Sequence, residues 1–101
     1  MDAWLIAYDI TENKLRDKVH NRLLYTGLTR VQLSVFIGTI EDKHLSDFKT
    51  WYQTKILTLA TESCSLMVVP LSIGQVKAIE MHGTDSLNIA ELSGEQHTLI
   101  I

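Results

Sequence analysis

The hydrophobic period of this chain changes along its length, from an unbroken apolar run to helical spacing, to alternation, and back through the same series. A chain that switches period in this way folds as strands and helices packed in layers. The first run, Trp4-Leu5-Ile6-Ala7-Tyr8-Asp9-Ile10, suits a covered central strand from about Ala3 to Ile10. Leu15, Val19 and Leu23 then recur at four-residue spacing, and Gly27 stands where a helix end favours a left-handed residue. This predicts a helix from about Asn13 to Thr26.

From Leu28 to Ile40 the chain alternates, with Val31, Leu33, Val35 and Ile37 sharing one parity. Period two means strand, read by periodicity as one long element; a division near Gln32 to Ser34 would rest on topology. Leu45, Phe48, Tyr52, Ile56 and Leu59 return to three- and four-residue intervals, so a second helix is expected from Asp42 to about Ala60. Ser65 to Leu71 is a strand-like run reaching Pro70, which favours an edge or a strand end. After Ser72-Ile73-Gly74, alternation over Gln75 to Met81 suggests a short extra strand. The pattern βαββαβ is that of an α+β, ferredoxin-like sandwich, with two helices on one face of an antiparallel sheet. Its other face needs a cover, and a second copy of the chain would supply one.

At 101 residues, 46% of them hydrophobic, the chain is sized for one domain with a single core. We assign residues 1–83 to that domain and 84–101 to a tail whose apolar patches suit a partner subunit. The one cysteine, Cys64, excludes an internal disulfide and reads as a buried, inert thiol. No cationic leader precedes an apolar segment, and no run approaches the roughly 20 residues of a membrane helix, so a cytoplasmic protein without membrane contact is expected. The net charge of −3 argues against a nucleic-acid partner, but its distribution argues the other way. Between Asn13 and Arg30, the cations Lys14, Arg16, Lys18, Arg22 and Arg30 face Asp17 alone, while the acids gather toward the C-terminus.

Asp9 is the first candidate for chemistry, because an acid at a strand exit is held rigidly and packing does not explain it. Its structural alternative is a turn or helix cap, with the carboxylate accepting backbone N–H groups. In a two-fold dimer a residue near the axis meets its twin, so one Asp9 per chain could become a carboxylate pair. The basic residues of the first helix lie off its apolar stripe and reach solvent, and a solvated flank accounts for any one of them. His20, His44, His82 and His97 have no metal-ligand spacing and receive no role.

Tyr8-Asp9-Ile10, then Lys14-Leu15-Arg16 at a helix start, Gly27, and Gln32-Leu33-Ser34-Val35-Phe36 follow in order. Together these motifs resemble the CRISPR-associated protein 2 (endoribonuclease) family over roughly residues 3 to 81. The resemblance implies a ferredoxin-like homodimer in which a strand within 75–81 joins the partner's sheet. It also implies Mg²⁺ or Mn²⁺ held between two Asp9 carboxylates, with Asp9 catalytic. The charge distribution makes Lys14, Arg16, Lys18, Arg22 and Arg30 the candidates for contact with nucleic acid. Arg16 matches the motif and Arg30 adjoins it, so these two lead.

Two roles follow from the family. One is a metal-dependent nuclease on RNA or DNA; the other is a non-catalytic bridge between integrase dimers that binds DNA during spacer acquisition. Many members carry a glutamate where this chain has Ile37, so no second acidic ligand is expected there. A reading outside the family is a ferredoxin-like regulatory or ligand-binding dimer that does not bind nucleic acid.

Overall fold

In the computed structural model, which describes residues 3–83, the opening apolar run is strand β1, Ala3–Ile10. Helix α1, Asn13–Tyr25, follows it, and the chain leaves that helix through Gly27 at φ +87°. Thr26 and Gly27 donate their N–H groups to Leu23 and Leu24 carbonyls at 3.1 and 3.2 Å. A side chain at Gly27 would pay for the left-handed backbone, which is why glycine ends this helix.

The alternating segment is divided into β2, Thr29–Gln32, and β3, Val35–Thr39, with the break at Leu33 and Ser34. These strands pair antiparallel, with a register shift between Arg30 and Gln32. Helix α2, Asp42–Trp51, runs into a π-helical turn, Tyr52–Ile56, and strand β4, Cys64–Leu71, completes the sheet. Its order is β2-β3-β1-β4, antiparallel throughout, so the apolar β1 is central and Pro70 falls on an edge strand, where its missing donor is tolerated.

One face of the sheet carries the main core. Ile6, Tyr8 and Ile10 of β1 meet Leu15, Val19 and Leu23 of α1, and Leu45 and Phe48 of α2, all buried. Each such side chain contributes about 1.5–3 kcal/mol on leaving water. The opposite parity of β1 carries Ala3, Leu5, Ala7 and Asp9 on the other face. There a smaller cluster joins Ala3, Ile37 and Val76, with Leu5, Val31, Leu71 and Ile79 against it.

Two expectations are corrected. The second helix stops short of Ala60: the Leu57 N–H bonds the Tyr52 carbonyl at 3.0 Å, across five residues rather than four. Thr54 and Thr58 hydroxyls also bond the carbonyls of Thr50 and Thr54 at 2.9 and 2.7 Å, which loosens a helix. The wider turn keeps Tyr52 and Ile56 buried and rotates Leu59 off the stripe, leaving it 57% exposed.

The second correction concerns the extra strand. Within 75–81 the described chain begins in a short helix, α3, Ile73–Lys77. Ser72 caps it: its hydroxyl accepts the Gln75 N–H at 3.1 Å, and the Gln75 side chain accepts the Ser72 N–H at 2.8 Å. This reciprocal box outweighs a weak alternation of Val76 and Ile79. Helix α3 presses Val76 onto the Ala3 end of the second face and leaves the Asp9 end open. The segment assigned as a C-terminal tail, 84–101, lies outside the described residues, as does His97.

Candidate functional site

Asp9 is exposed on β1, opposite Ser65 of β4, and shares its parity with the residues of the less covered face. It does not act as the helix cap. The residue at the start of α1 is Glu12, whose carboxylate instead accepts the backbone N–H groups of Thr61 and Glu62 at 2.7 and 3.1 Å. Asp9 is therefore spared the backbone role that would have explained it.

Around Asp9 the end of β1, the first turns of α1 and the β2–β3 connection enclose a cleft of about 490 Å³. Arg16, Arg30 and Asp9 all line it, so the two leading cations and the leading acid share one cavity. Arg16 is held at its rim by the Ile10 carbonyl at 3.4 Å and by a short hydrogen bond to the Asn13 side chain. Arg30 arrives from β2, opposite Phe36 in the register.

The remaining cations lie elsewhere. Lys14 and Lys18 are exposed on α1 and do not line the cleft. Arg22 sits with its guanidinium 4.9 Å from the centre of the Trp51 ring and borders a second cleft with Tyr25 and Asp47.

Sequence reasoning gave no site role to four polar contributors to the first cleft: Tyr8, Asp17, His20 and Ser34. Tyr8 is buried, and its ring stacks on Phe36 at 6.4 Å while its hydroxyl lies 3.3 Å from His20 Nδ1. Its N–H donates to the Ser34 carbonyl at 3.1 Å, tying the β2–β3 turn to β1. Burial pushes the phenol above its ordinary value, partly offset by Arg30 and then Arg16. His20 follows Arg16 by four residues on α1, the spacing that puts two side chains on one helix face, and this was the available signal.

Cys64 differs from expectation in a smaller way. It is half-buried rather than enclosed, and its sulfur lies 3.1 Å from the Tyr52 hydroxyl.

Chemically, two guanidinium groups and a phenol around one cavity suit an anion with several oxygens, such as a phosphodiester. Two exposed carboxylates, Asp9 and Asp17, also line it, hard-oxygen donors too few for a divalent ion by themselves. Among the described residues no three His, Cys, Asp or Glu side chains gather as a metal site.

The family described as CRISPR associated protein Cas2 matches residues 1–79. A protein named CRISPR-associated endoribonuclease Cas2 2 from Pyrobaculum aerophilum is 49% identical over 43 residues, 43% of this chain and 47% of that one. Another of that name, from Synechocystis, is 33% identical over 87 residues, 86% of this chain and 90% of that one. The chain thus spans about half the length of the Pyrobaculum relative and nearly all of the Synechocystis one. Among solved structures, a hypothetical protein from Thermus thermophilus superposes with a TM-score of 0.67 at 28% identity, covering 85% of this chain and 95% of that one. A structure titled as that of cas2 superposes at 0.59 with 19% identity over 99% and 98%, a likeness of fold. With the family matched across the sheet, the helices and the cleft, the chain belongs to the CRISPR-associated Cas2 family.

Proposed function

We propose that this protein is a CRISPR adaptation protein that acts as a homodimer and binds nucleic acid through phosphate contacts. The observation that carries the reading is the cleft lined by Arg16 and Arg30, with Asp9 at its edge where β1 ends. Its contacts to the backbone are electrostatic and independent of sequence. Lys14, Lys18 and Arg22 form a separate basic row on α1, away from the cleft, that would reach phosphates farther along a duplex. The relatives' name, endoribonuclease, supports a second capacity, cleavage of an RNA or DNA phosphodiester.

Dimerisation fits the half-covered face. Met67 is 57% exposed and Leu33 76%, and Ala7 and Val35 share the face with Asp9. A second copy packed there buries this apolar surface and brings two Asp9 carboxylates together. In such a dimer residues 75–81 could add to the partner's sheet only by unwinding α3. That exchange would break the Ser72–Gln75 box.

The donor set fits Mg²⁺ or Mn²⁺ only when shared: an Asp9 from each copy, completed by substrate phosphate oxygens. A divalent ion supplies charge neutralisation and a more acidic bound water. Arg16 and Arg30 would hold the phosphate, and Asp9 of each copy would hold the ion. The bridging role needs the basic surface and an integrase partner but not Asp9. No helix among the described residues is long and apolar enough to cross a membrane.

Binding of labelled duplex DNA across a salt series, with and without the integrase partner, tests the reading. A steep salt dependence that Arg16→Ala and Arg30→Ala flatten is expected. Absence of binding in every condition would favour the regulatory dimer. Asp9→Ala separates the two roles: spacer acquisition that persists without cleavage makes this protein a bridge.

A further inference from the structure

His20 lines the cleft yet has no place in the chemistry described so far. Three observations converge on it. Its Nδ1 lies 3.3 Å from the Tyr8 hydroxyl. Its ring meets the buried Phe36 edge-on at 5.5 Å, and Phe36 also stacks on Tyr8, so one aromatic side chain fixes both partners. It stands one helical turn after Arg16, which puts the two on the same face of α1.

The Tyr8 phenol has a single hydrogen, and where it goes decides what the cleft offers. If His20 Nδ1 is bare, Tyr8 donates to it and turns only lone pairs toward the cavity. Lone pairs repel a phosphate. If Nδ1 carries the hydrogen, His20 donates to the phenol oxygen and the Tyr8 O–H is free.

We propose that His20 is a positioning residue: its Nδ1–H donates to the Tyr8 oxygen and so turns the Tyr8 O–H into the cleft, where it binds a phosphodiester oxygen beside Arg16 and Arg30. The proposal rests on the nucleic-acid reading above and deepens it. It gives the cleft a neutral donor with a fixed direction beside the two cations. It also makes His20 matter only through Tyr8.

The test is a double-mutant cycle on binding of a fluorescein-labelled duplex DNA, with Tyr8→Phe, His20→Leu and the pair, beside His20→Asn. Tyr8→Phe should weaken binding about tenfold, the contribution of one hydrogen bond to a charged group. His20→Leu should weaken it similarly, the double variant no further, and His20→Asn, whose amide can donate, should recover most of the loss. Wild-type affinity in His20→Leu, or losses that multiply in the pair, would overturn the proposal. Nitrogen-resolved NMR of the histidine rings in the free wild-type protein provides a reading independent of DNA and of variant folding. A hydrogen on His20 Nδ1 is expected; a bare Nδ1 refutes the assignment even where binding is strong. No binding by the wild type, whatever the tautomer, would instead remove the nucleic-acid reading, and the phosphate role with it.

Discussion

The Glu12 carboxylate reaches across 49 residues of sequence to accept the Thr61 N–H at 2.7 Å, fixing the entrance of β4 to the entrance of α1. The Thr61 hydrogen bond, reinforced by Glu62, holds this carboxyl below its ordinary value of 4.5. A depressed acid contributes stability that is present above its unfolded value and lost as pH falls through the folded one. The melting temperature of Glu12→Ala should therefore lie below wild type at neutral pH, and the gap should close below about pH 4.5. Glu12→Gln keeps an acceptor oxygen and should lie between them, with less dependence on pH.

Phe36→Ala should be the most damaging single change near the cleft. The side chain is fully buried and touches both Tyr8 and His20. Removing it costs about 3–5 kcal/mol through lost burial and an unfilled cavity. Denaturant unfolding measures this, and Phe36→Leu should cost clearly less. The surviving folded fraction of either variant should show altered Tyr8 near-ultraviolet circular dichroism.

Gly27→Ala should destabilise by about 1–2 kcal/mol, because its φ of +87° is left-handed. Space is not the obstacle, since a methyl there would meet no atom within 4 Å. An asparagine should cost less than alanine. Equilibrium unfolding of the two variants separates backbone strain from crowding.

On the alkaline side, Tyr52 and Tyr8 act together. Burial, with the Cys64 hydrogen bond, pushes the Tyr52 phenol well above 10.0, and burial raises Tyr8 as well. A raised folded value means stability that is complete below the unfolded pKa, near pH 10, and lost as pH climbs toward the folded one. Tyr52→Phe should cost about 0.5–1.5 kcal/mol at neutral pH and should flatten the loss above pH 10. Unfolding at several alkaline pH values decides this.

Asp9→Asn should leave monomer stability within about 0.5 kcal/mol of wild type, as an exposed residue outside the core allows. In the proposed dimer the same change removes a like-charge contact, so metal-free dimerisation should strengthen. Sedimentation with and without Mg²⁺ should show wild type gaining from the ion and the variant indifferent to it.

Most of the sheet was legible in the sequence because burial imposes a period. Trp4 to Ile10 could hardly be other than a central strand, and Gly27 marked the turn that follows α1. The limits of α2 were not legible, since Leu57 and Leu59 look apolar enough to be core, and only the hydrogen bond from Leu57 to Tyr52 shows that the helix widens. The 75–81 segment misled for the opposite reason, a faint alternation hiding a polar cap. In the site, Asp9, Arg16 and Arg30 could be named from motif and charge. His20 could not, because its importance lies in facing Tyr8 and Phe36, residues that chain order keeps apart.

The π turn at Tyr52–Ile56 holds one residue more than an α-helix needs for the same rise. Removing one of its residues would let the turn close into regular helix with the residues after it left on their faces, because the wider turn has already absorbed the extra residue. Ile56 would stay in the core, and Trp51, before the turn, would keep its place against Arg22. The α2–β4 corner thus carries one residue more than its path requires, and a one-residue deletion within Tyr52–Ile56 should do less harm than the same deletion in Asp42–Trp51.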